Sequence, residues 1–231
     1  MSVPAMDVRG LRYTYPDGTA AVRGVDFQLA AGESVALLGA NGSGKTTFLL
    51  HMAGLLRGDG DIQIGGVTLE DDTLGEIRGR VGYVFQDSDD QLFMPTVLED
   101  VAFGPLHRGV DAQESLLRAR EILAMLGISH LENRAPYHLS AGEKKRAALA
   151  GVLVMKPDVL IFDEPTTFLD PPGQIELVKI LIQLPQAKLI ATHDVSFAMK
   201  VAHRAIFFAD GRIAGDGPVD AIADRFHWRL V

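Results

Sequence analysis

The motif GANGSGKTT, residues 39–47, is the strongest single signal in the sequence. It matches the pattern G-x-x-x-x-G-K-[ST] at every fixed position and follows the apolar run SVALL, residues 34–38. Such a run is typical of a strand buried on both faces of a sheet. The glycines let backbone N–H groups turn towards phosphates, and the next helix adds the partial positive charge of its N-terminus. We therefore predict a phosphate-binding strand–loop–helix unit.

The residues of this loop have separate predicted roles. The Lys45 ammonium can reach the terminal phosphates, and the Thr46 hydroxyl can ligate Mg²⁺. A glycine-rich turn that contains a lysine by chance is the alternative, and the flanking strand and helix argue against it. The residues predicted to bind nucleotide here are Gly39, Ala40, Asn41, Gly42, Ser43, Gly44, Lys45, Thr46 and Thr47.

Two polar endings follow other apolar runs. VLIFDE, residues 159–164, places Asp163 and Glu164 at the end of a predicted strand, which is where open α/β sheets bind ligands. Asp163 can hold the Mg²⁺ shell through water, and Glu164 can act as the general base on the attacking water. An acidic helix N-cap pair is the alternative. His193 follows a further apolar strand, so it would share this sheet edge and could sense the γ-phosphate.

The remaining pattern predicts an α/β fold. Residues 8–18 and 22–33 alternate with period two and end in turn residues, which indicates antiparallel strands near the N-terminus. Later strands alternate with helices, which favours a parallel sheet. The period becomes helical over about residues 95–153. We expect one domain over residues 1–231: a P-loop NTPase core with a mixed sheet, an N-terminal antiparallel β subdomain and an inserted helical lobe.

Composition narrows the partners. The net charge is −8, so nucleic acid is not expected as the main partner, because a phosphate backbone requires a basic surface. The chain has no cysteine, which excludes disulfides and thiolate metal sites. Its longest apolar run, residues 147–155, is much shorter than the roughly 20 residues that a membrane-spanning helix needs.

The stretch HLSAGEKKRAALAG, residues 138–151, has two interpretations. Ser140 and Glu143 have the S-x-x-E spacing of a capping box, which by itself explains the local structure. The same helix start could instead present the Ser140 hydroxyl, the Gly142 N–H and the helix dipole to a γ-phosphate. Taken alone, the stretch favours the capping box.

The full set of motifs resembles the ATP-binding subunits of ABC transporters over nearly the whole chain. The motif at residues 39–47 resembles Walker A, and VLIFDE resembles Walker B. LSAGE, residues 139–143, resembles the signature LSGGQ, and TTFLD, residues 166–170, resembles the D-loop. Three single residues fit the same order: Gln86 the Q-loop glutamine, His193 the switch histidine and Tyr15 the aromatic that stacks on adenine.

This resemblance implies an ATPase that works with ATP and Mg²⁺ and couples hydrolysis to transport. Two copies would face head to tail, with each ATP lying between one Walker A loop and Ser140 and Gly142 of the other copy. The implied catalytic residues are Glu164, His193, Lys45 and Gln86, and the implied Mg²⁺ ligands are Thr46, Gln86 and Asp163, partly through water.

Three residues depart from the family pattern. Ala141 replaces a glycine, Glu143 replaces the signature glutamine, and Phe168 stands where the D-loop usually has a small residue. The change to glutamate adds a negative charge near phosphates. We expect slower hydrolysis, and not an inactive site, because Ser140 and Gly142 remain.

Residues 85–106, FQDSDDQLFMPTVLEDVAFGPL, are similar to the energy-coupling-factor subgroup, especially its cobalt and nickel uptake ATPases. That similarity implies a homodimer, integral membrane subunits as partners and a peripheral location on the cytoplasmic face of the membrane. Four apolar residues in this segment could be core or could line a groove for a partner helix, since periodicity cannot separate the two: Leu92, Phe93, Met94 and Val97.

Three other functions stay open at this point. Biotin or another vitamin is the alternative cargo. A non-transport ABC ATPase is a second alternative, although the chain has no coiled-coil insertion, zinc module or second cassette. A regulatory module that binds ATP without hydrolysis is the third, and Glu164 and His193 argue against it.

Overall fold

The structure, a computed structural model, describes residues 3–228 and contains two β-sheets with helices packed around them. Its strands are β1 Met6–Thr14, β2 Ala20–Leu29, β3 Ser34–Leu38, β4 Asp59–Ile64, β5 Val67–Thr68, β6 Val81–Val84, β7 Val159–Asp163, β8 Ala187–Ala191, β9 Arg204–Ala209 and β10 Arg212–Gly217. Its α-helices are α1 Lys45–Met52, α2 Leu74–Arg80, α3 Val97–His107, α4 Ala112–Met125, α5 Ala141–Leu153, α6 Pro171–Gln183, α7 Val195–Val201 and α8 Val219–Arg225.

The first sheet is antiparallel and has the strand order β2-β1-β4-β5. Its two long strands are the ones that the N-terminal alternation predicts, and Met6 pairs with Leu29 and with Ile64 across them. These three side chains are fully buried. The alternation therefore places one face of the sheet against the core and leaves the other for solvent.

The second sheet has six strands in the order β10-β9-β3-β8-β7-β6. Strands β9, β3, β8, β7 and β6 pair in parallel, and β10 returns antiparallel to β9, so the sheet is mixed, as predicted. All five residues of each of the strands β3, β7 and β8 are buried. Because these strands are neighbours and parallel, the loops that follow them meet at one edge of the sheet.

The helical block lies between β6 and β7 in the sequence. Its helices α3, α4 and α5 share one apolar cluster with the sheet, in which Val101, Leu123, Ala147 and Phe162 are fully buried. The α4 start is capped by the Asp111 carboxylate, which accepts from the N–H groups of residues 113 and 114. The block thus packs on the sheet, and α5 also contacts residues 88–90.

Two short helices were not predicted. Helix α2 has seven residues, of which Gly75 and Gly79 remove the apolar periodicity, and it buries only Ile77. Helix α8 follows Pro218 and buries Val219, Ile222 and Ala223. Both helices are too short for a periodic pattern to identify, and their packing onto the sheets stabilises them.

Candidate active site

The loop between β3 and α1 requires glycine at two of the fixed motif positions. Gly39 and Gly44 have φ values of +144° and +106°, which side chains of L-residues rarely adopt. A Cβ at Gly39 would also collide with the Phe208 carbonyl oxygen, and one at Gly44 with the Ala21 carbonyl oxygen. The backbone of the loop is therefore fixed by its contacts with two other strands.

Lys45 lies across the mouth of this loop. Its Nζ donates to the carbonyl oxygens of Gly39, at 2.7 Å, and Ala40, at 3.0 Å. Burial lowers the pKa of the Lys45 ammonium, and the nearby Glu164 and Asp163 carboxylates oppose that shift. The cation is thus held in place by two neutral carbonyl oxygens, which anionic phosphate oxygens can replace.

The loop retains a polar atom that fits a phosphate. The Ser43 hydroxyl is buried and has no hydrogen-bond partner among the described residues. An unpaired buried hydroxyl is unfavourable, so a ligand oxygen at this point would stabilise the loop. The predicted metal ligands Thr46, Gln86 and Asp163 supply hydroxyl, amide and carboxylate oxygens, the hard donors that suit Mg²⁺. The residues present therefore fit a magnesium nucleotide.

Asp163 ends β7 and is held by a residue that the sequence analysis missed. The Tyr83 hydroxyl on β6 donates to Asp163 Oδ2 at 3.2 Å. Burial raises the pKa of the Tyr83 hydroxyl, and the Asp163 charge raises it further, so the phenol keeps its proton and donates. Tyr83 lies in β6, three residues before Gln86, and this position was the available signal.

Glu164 and His193 form a direct pair. His193 Nδ1 lies 2.8 Å from Glu164 Oε2, and the His193 backbone N–H donates to the same oxygen at 3.3 Å. Glu164 has a φ of +43°, which is uncommon for a residue with a side chain and is characteristic of functional sites. Its N–H donates to the Ala191 carbonyl at 2.9 Å, so β8 fixes this conformation. The two residues meet at the sheet edge, as predicted.

A cleft of about 680 Å³ opens over the loop. Tyr15, Gln86 and His193 line it together with residues 41–47. The Tyr15 hydroxyl lies 2.9 Å from Thr47 Oγ1, and its ring packs edge-on against Tyr13 with centroids 4.9 Å apart. The cleft also contains residues that the sequence analysis did not select: Thr19, Ala20, Ala21, Arg23, Asp210 and Gly211.

In the part of the chain that the structure describes, six predicted site residues do not line this cleft: Gly39, Ala40, Asp163, Glu164, Ser140 and Gly142. Gly39, Ala40 and Glu164 contact residues that do line it, through Lys45 and His193, whereas Ser140 and Gly142 belong to the start of α5. Ser140 caps α5, and its Oγ accepts from the Glu143 N–H at 3.4 Å. The Glu143 carboxylate accepts from the Ser140 N–H and hydroxyl, both at 2.8 Å. These two bonds lower the pKa of Glu143, and the positive charges of Arg134 and Arg146 contribute to the shift. The capping box is therefore confirmed, and the phosphate role stays a prediction.

The apolar segment after Gln86 contains both buried and exposed side chains, the two possibilities that the sequence left open. Val97 is fully buried, whereas Phe93 is 65% exposed. The Phe93 ring packs edge-on against Phe103, with centroids 5.0 Å apart, and Phe103 stacks on His107. With the exposed Leu106, these side chains form a surface that we name the aromatic patch: Phe93, Phe103, Leu106 and His107.

One buried carboxylate fixes the aromatic patch. Asp100 accepts from the N–H groups of Phe93 and Met94, both at 3.0 Å. Burial raises the pKa of Asp100, and the two hydrogen bonds oppose that shift.

Within residues 3–228, no helix is long and apolar enough to cross a membrane, and no group of three or more His, Asp or Glu could hold a metal ion.

The loop, the acidic strand end and the Glu164–His193 pair together define a P-loop nucleotide hydrolase. The sequence profile of the ABC transporter family matches residues 22–167, more than half of the chain. The chain belongs to the ABC transporter family. As a member of this family it is an ATPase that uses ATP with Mg²⁺.

Two curated relatives show the extent of this similarity. A putative ABC transporter ATP-binding protein of Geobacter sulfurreducens is 49% identical over 94% of this chain and 88% of its own. The energy-coupling factor transporter ATP-binding protein EcfA of Methanothermobacter thermautotrophicus is 45% identical over 95% of this chain and 73% of its own.

Two solved structures share the fold. The cbiO1 protein of Clostridium perfringens, part of the ABC transporter complex cbiONQ, superposes with a TM-score of 0.88 at 35% identity and covers 97% of this chain and 92% of its own. A dimeric ATP-binding cassette, MJ0796, in a post-hydrolysis state with ADP and Pi, gives a TM-score of 0.82 at 28% identity over 93% of this chain and 98% of its own. These similarities confirm the predicted ABC ATPase fold.

Proposed function

We propose that the chain is the ATP-hydrolysing subunit of an energy-coupling-factor importer, with cobalt or nickel ions as cargo. It works as a head-to-tail homodimer on the cytoplasmic face of the membrane, bound to integral membrane subunits. The EcfA relative and the cbiO1 structure support this assignment, as does the similarity of residues 85–106 to the cobalt and nickel uptake ATPases.

The observation that carries the homodimer is the position of the signature. Ser140 is exposed and lies outside the cleft that its own chain forms. Gly142 lies in the first turn of α5, where a Cβ would meet no atom within 4 Å. Packing within the chain therefore does not require glycine there, although glycine costs up to about 1 kcal/mol relative to alanine in a helix. A nucleotide held by a second copy would explain the glycine, because the absence of a side chain lets the phosphates approach the helix backbone closely.

The catalytic roles follow from the contacts at the sheet edge. Glu164 Oε2 takes the proton of the attacking water as general base. His193 lies 2.8 Å from that oxygen, so it orients the carboxylate, and it lines the cleft that would hold the terminal phosphate. Lys45 exchanges its two carbonyl acceptors for phosphate oxygens and neutralises their charge. Mg²⁺, when bound, supplies further positive charge at the phosphates, and Thr46, Gln86 and Asp163 would hold it, partly through water.

The aromatic patch supplies the contact with a membrane subunit. Phe93 and Phe103 are exposed, and Asp100 holds the backbone N–H groups of Phe93 and Met94, so the patch is preformed. Aromatic side chains on a rigid surface suit the apolar face of a partner helix. The patch begins seven residues after Gln86, which lines the ATP cleft, and this short separation along the chain supports a membrane contact near the nucleotide.

A complementation experiment tests the shared site. Homodimers of Lys45→Ala lack both phosphate loops, and homodimers of Ser140→Arg lack both signatures. In a mixed dimer both lesions fall in one site, and the other site is intact. Mixing the two variants should therefore restore part of the ATPase activity that each has lost. If nothing returns, and ATP also fails to pair the Glu164→Gln variant described below, the homodimer proposal is wrong.

The cargo needs a separate measurement. Cells that carry this chain with its membrane subunits should accumulate radioactive cobalt or nickel in an ATP-dependent way, and Glu164→Gln should abolish the uptake. Uptake of a vitamin such as biotin, with no metal uptake, would overturn the cargo assignment and leave the ATPase assignment intact.

A further inference from the structure

Lys145 is a buried lysine with no role in the mechanism described so far. Only 3% of the residue is exposed. Its Nζ donates to the carbonyl oxygens of Phe85, at 3.0 Å, and Gln86, at 2.8 Å. These two carbonyls come directly after β6. Helix α5, which begins at the signature motif, therefore contacts Gln86, the residue predicted to act on the nucleotide of its own chain.

The burial of this ammonium is unfavourable. Burial lowers the pKa of Lys145 to about 8, and the charges of Asp87 and Asp163 oppose the shift. An apolar side chain of similar size in a buried position is often neutral or stabilising in comparison with a buried charge. Stability of the fold therefore does not explain the lysine, whereas the two carbonyls that it holds suggest a positional role.

A second bond joins the same helix to the same segment. The Gln91 side-chain amide donates to the Ala148 carbonyl of α5 at 2.8 Å. Lys144 also forms an ion pair with Asp89, but Asp89 is 61% exposed, and such pairs contribute little. The buried contacts attach residues 85–91 to α5 at two points, one above the other along the helix.

We propose that Lys145 is a positioning residue that ties Gln86, in the ATP site of its own chain, to the signature end of α5, which serves the site of the other copy. This inference rests on the homodimer proposed above. Ser140 and Lys145 lie five residues apart on one helix, about 7.5 Å along its axis, and a helix of this kind moves as a rigid element. When Ser140 closes on the partner's nucleotide, Lys145 carries the Gln86 backbone with it.

The test uses Lys145→Met, which keeps the length of the side chain and removes the donor. We expect kcat to fall about 10-fold, since small displacements of a positioned group cost one to two orders of magnitude. The KM for ATP and the ATP affinity of the single chain should change less than about 2-fold, and Tm should stay equal or rise. Lys144→Met is the matched control on the same helix and should keep the kcat of the unmodified protein.

A double-mutant cycle identifies the residue through which Lys145 acts. If Lys145 works through Gln86, adding Lys145→Met to Gln86→Ala should lower kcat no further than Gln86→Ala does alone. Lys145→Gln, which keeps an N–H donor, should recover part of the activity lost in Lys145→Met.

Three results for Lys145→Met would overturn the proposal. These are an unchanged kcat in Lys145→Met, a loss of kcat accompanied by a lower Tm and weaker ATP binding, and effects of Lys145→Met and Gln86→Ala that simply multiply. An equal loss in Lys144→Met would show that the charge of this helix face matters and not the Lys145 contact. Failure of the homodimer itself is distinguishable, because Glu164→Gln would then stay monomeric with ATP whatever the cycle shows.

Discussion

Two helix N-termini in this protein are each predicted to contact phosphate, but they differ in capping. The start of α1 follows Gly44, has no side-chain cap and has no acidic residue in its first turn. The start of α5 has a complete capping box, with Glu143 in its first turn. Free N–H groups at a helix start attract anions. The first terminus is therefore open for phosphate, whereas at the second the Glu143 N–H is already bound by the Ser140 cap.

The difference shows how one chain can contain two kinds of phosphate site. One is complete by itself, and the other binds phosphate only after a bond within the chain is exchanged. At α1, the contacts of Gly39 and Gly44 with other strands fix the backbone, and Lys45 lies buried beside it. At α5, the Ser140 hydroxyl donates to Glu143 and must exchange that bond before it can donate to a phosphate. On the homodimer proposal, only a nucleotide presented by the second copy makes this exchange favourable.

The largest expected effect separates binding at α1 from hydrolysis. Glu164→Gln removes the general base and keeps the loop, so kcat should fall by about 10²–10⁴ while Mg-ATP still binds. Phosphate release and ATP titration on the same preparation measure the two properties. Near-normal turnover would assign the base elsewhere, and His193, 2.8 Å from Glu164, would be the next candidate.

The second prediction concerns Ser140→Arg at the start of α5. Glu164→Gln should run as a dimer with ATP and as a monomer without it in size-exclusion chromatography. Adding Ser140→Arg should abolish the dimer, because arginine places a bulky side chain where the serine must approach the γ-phosphate. In the otherwise unmodified protein, Ser140→Arg should lower kcat on the order of 10².

The control for this experiment is ATP affinity. A single chain with Ser140→Arg should bind ATP as before, since the cleft is lined by Tyr15 and the phosphate loop and not by Ser140. If the double variant dimerises with ATP as readily as Glu164→Gln alone, Ser140 is only a helix cap.

A smaller effect is expected when Glu143 is replaced by glutamine. The start of α5 then has no acidic residue in its first turn, as the start of α1 has none. Glu143→Gln keeps a side chain that can accept from the Ser140 N–H and removes a negative charge from the terminus. A charge near a helix end contributes about 0.3–1 kcal/mol, so kcat should rise about 2- to 5-fold. Arg134 and Arg146 lie close enough to lower the Glu143 pKa, so they already offset part of the charge.

The same variant has a measurable pH dependence. Because the folded-state pKa of Glu143 is lowered, its carboxylate stabilises the fold at pH values above its unfolded pKa, and the contribution is lost as pH falls through the folded pKa. The difference in Tm between the unmodified protein and Glu143→Gln should therefore shrink below about pH 4.5. A difference that stays constant through that range, or a kcat that falls in Glu143→Gln, would contradict the role of the charge.

The sequence predicted the local parts of the site and not the contacts between distant parts. The loop at 39–47, the strand ends at Asp163 and His193 and the cap at Ser140 each lie within one short segment. Tyr83 on Asp163 and Lys145 on Gln86 join segments that are 80 and 59 residues apart. A period cannot show such pairs, although Lys145 does share a helix face with the buried residues Leu149 and Val152.

The split within the apolar segment has the same cause. Val97 and Phe93 are both apolar and four residues apart, and only the packing of α3 against α4 and α5 shows that the first is buried and the second exposed. Burial depends on which elements meet, and that is decided by the fold as a whole. The two short helices α2 and α8 were missed for a related reason, since tertiary packing and not periodicity stabilises them.

The smallest expected effect on the isolated chain belongs to the aromatic patch, which lies outside both helix starts. Phe93→Glu changes a side chain that is 65% exposed, so the fold, ATP binding and kcat of the isolated chain should stay nearly unchanged. In a co-purification assay with the membrane subunits, assembly should be lost, because a charge in an apolar contact is left without a partner. Leu117→Glu is the matched control: Leu117 is 53% exposed on α4 and outside the patch, so this variant should still assemble. Loss of folding in Phe93→Glu would show that Phe93 is a core residue, and normal assembly would move the membrane contact to another surface.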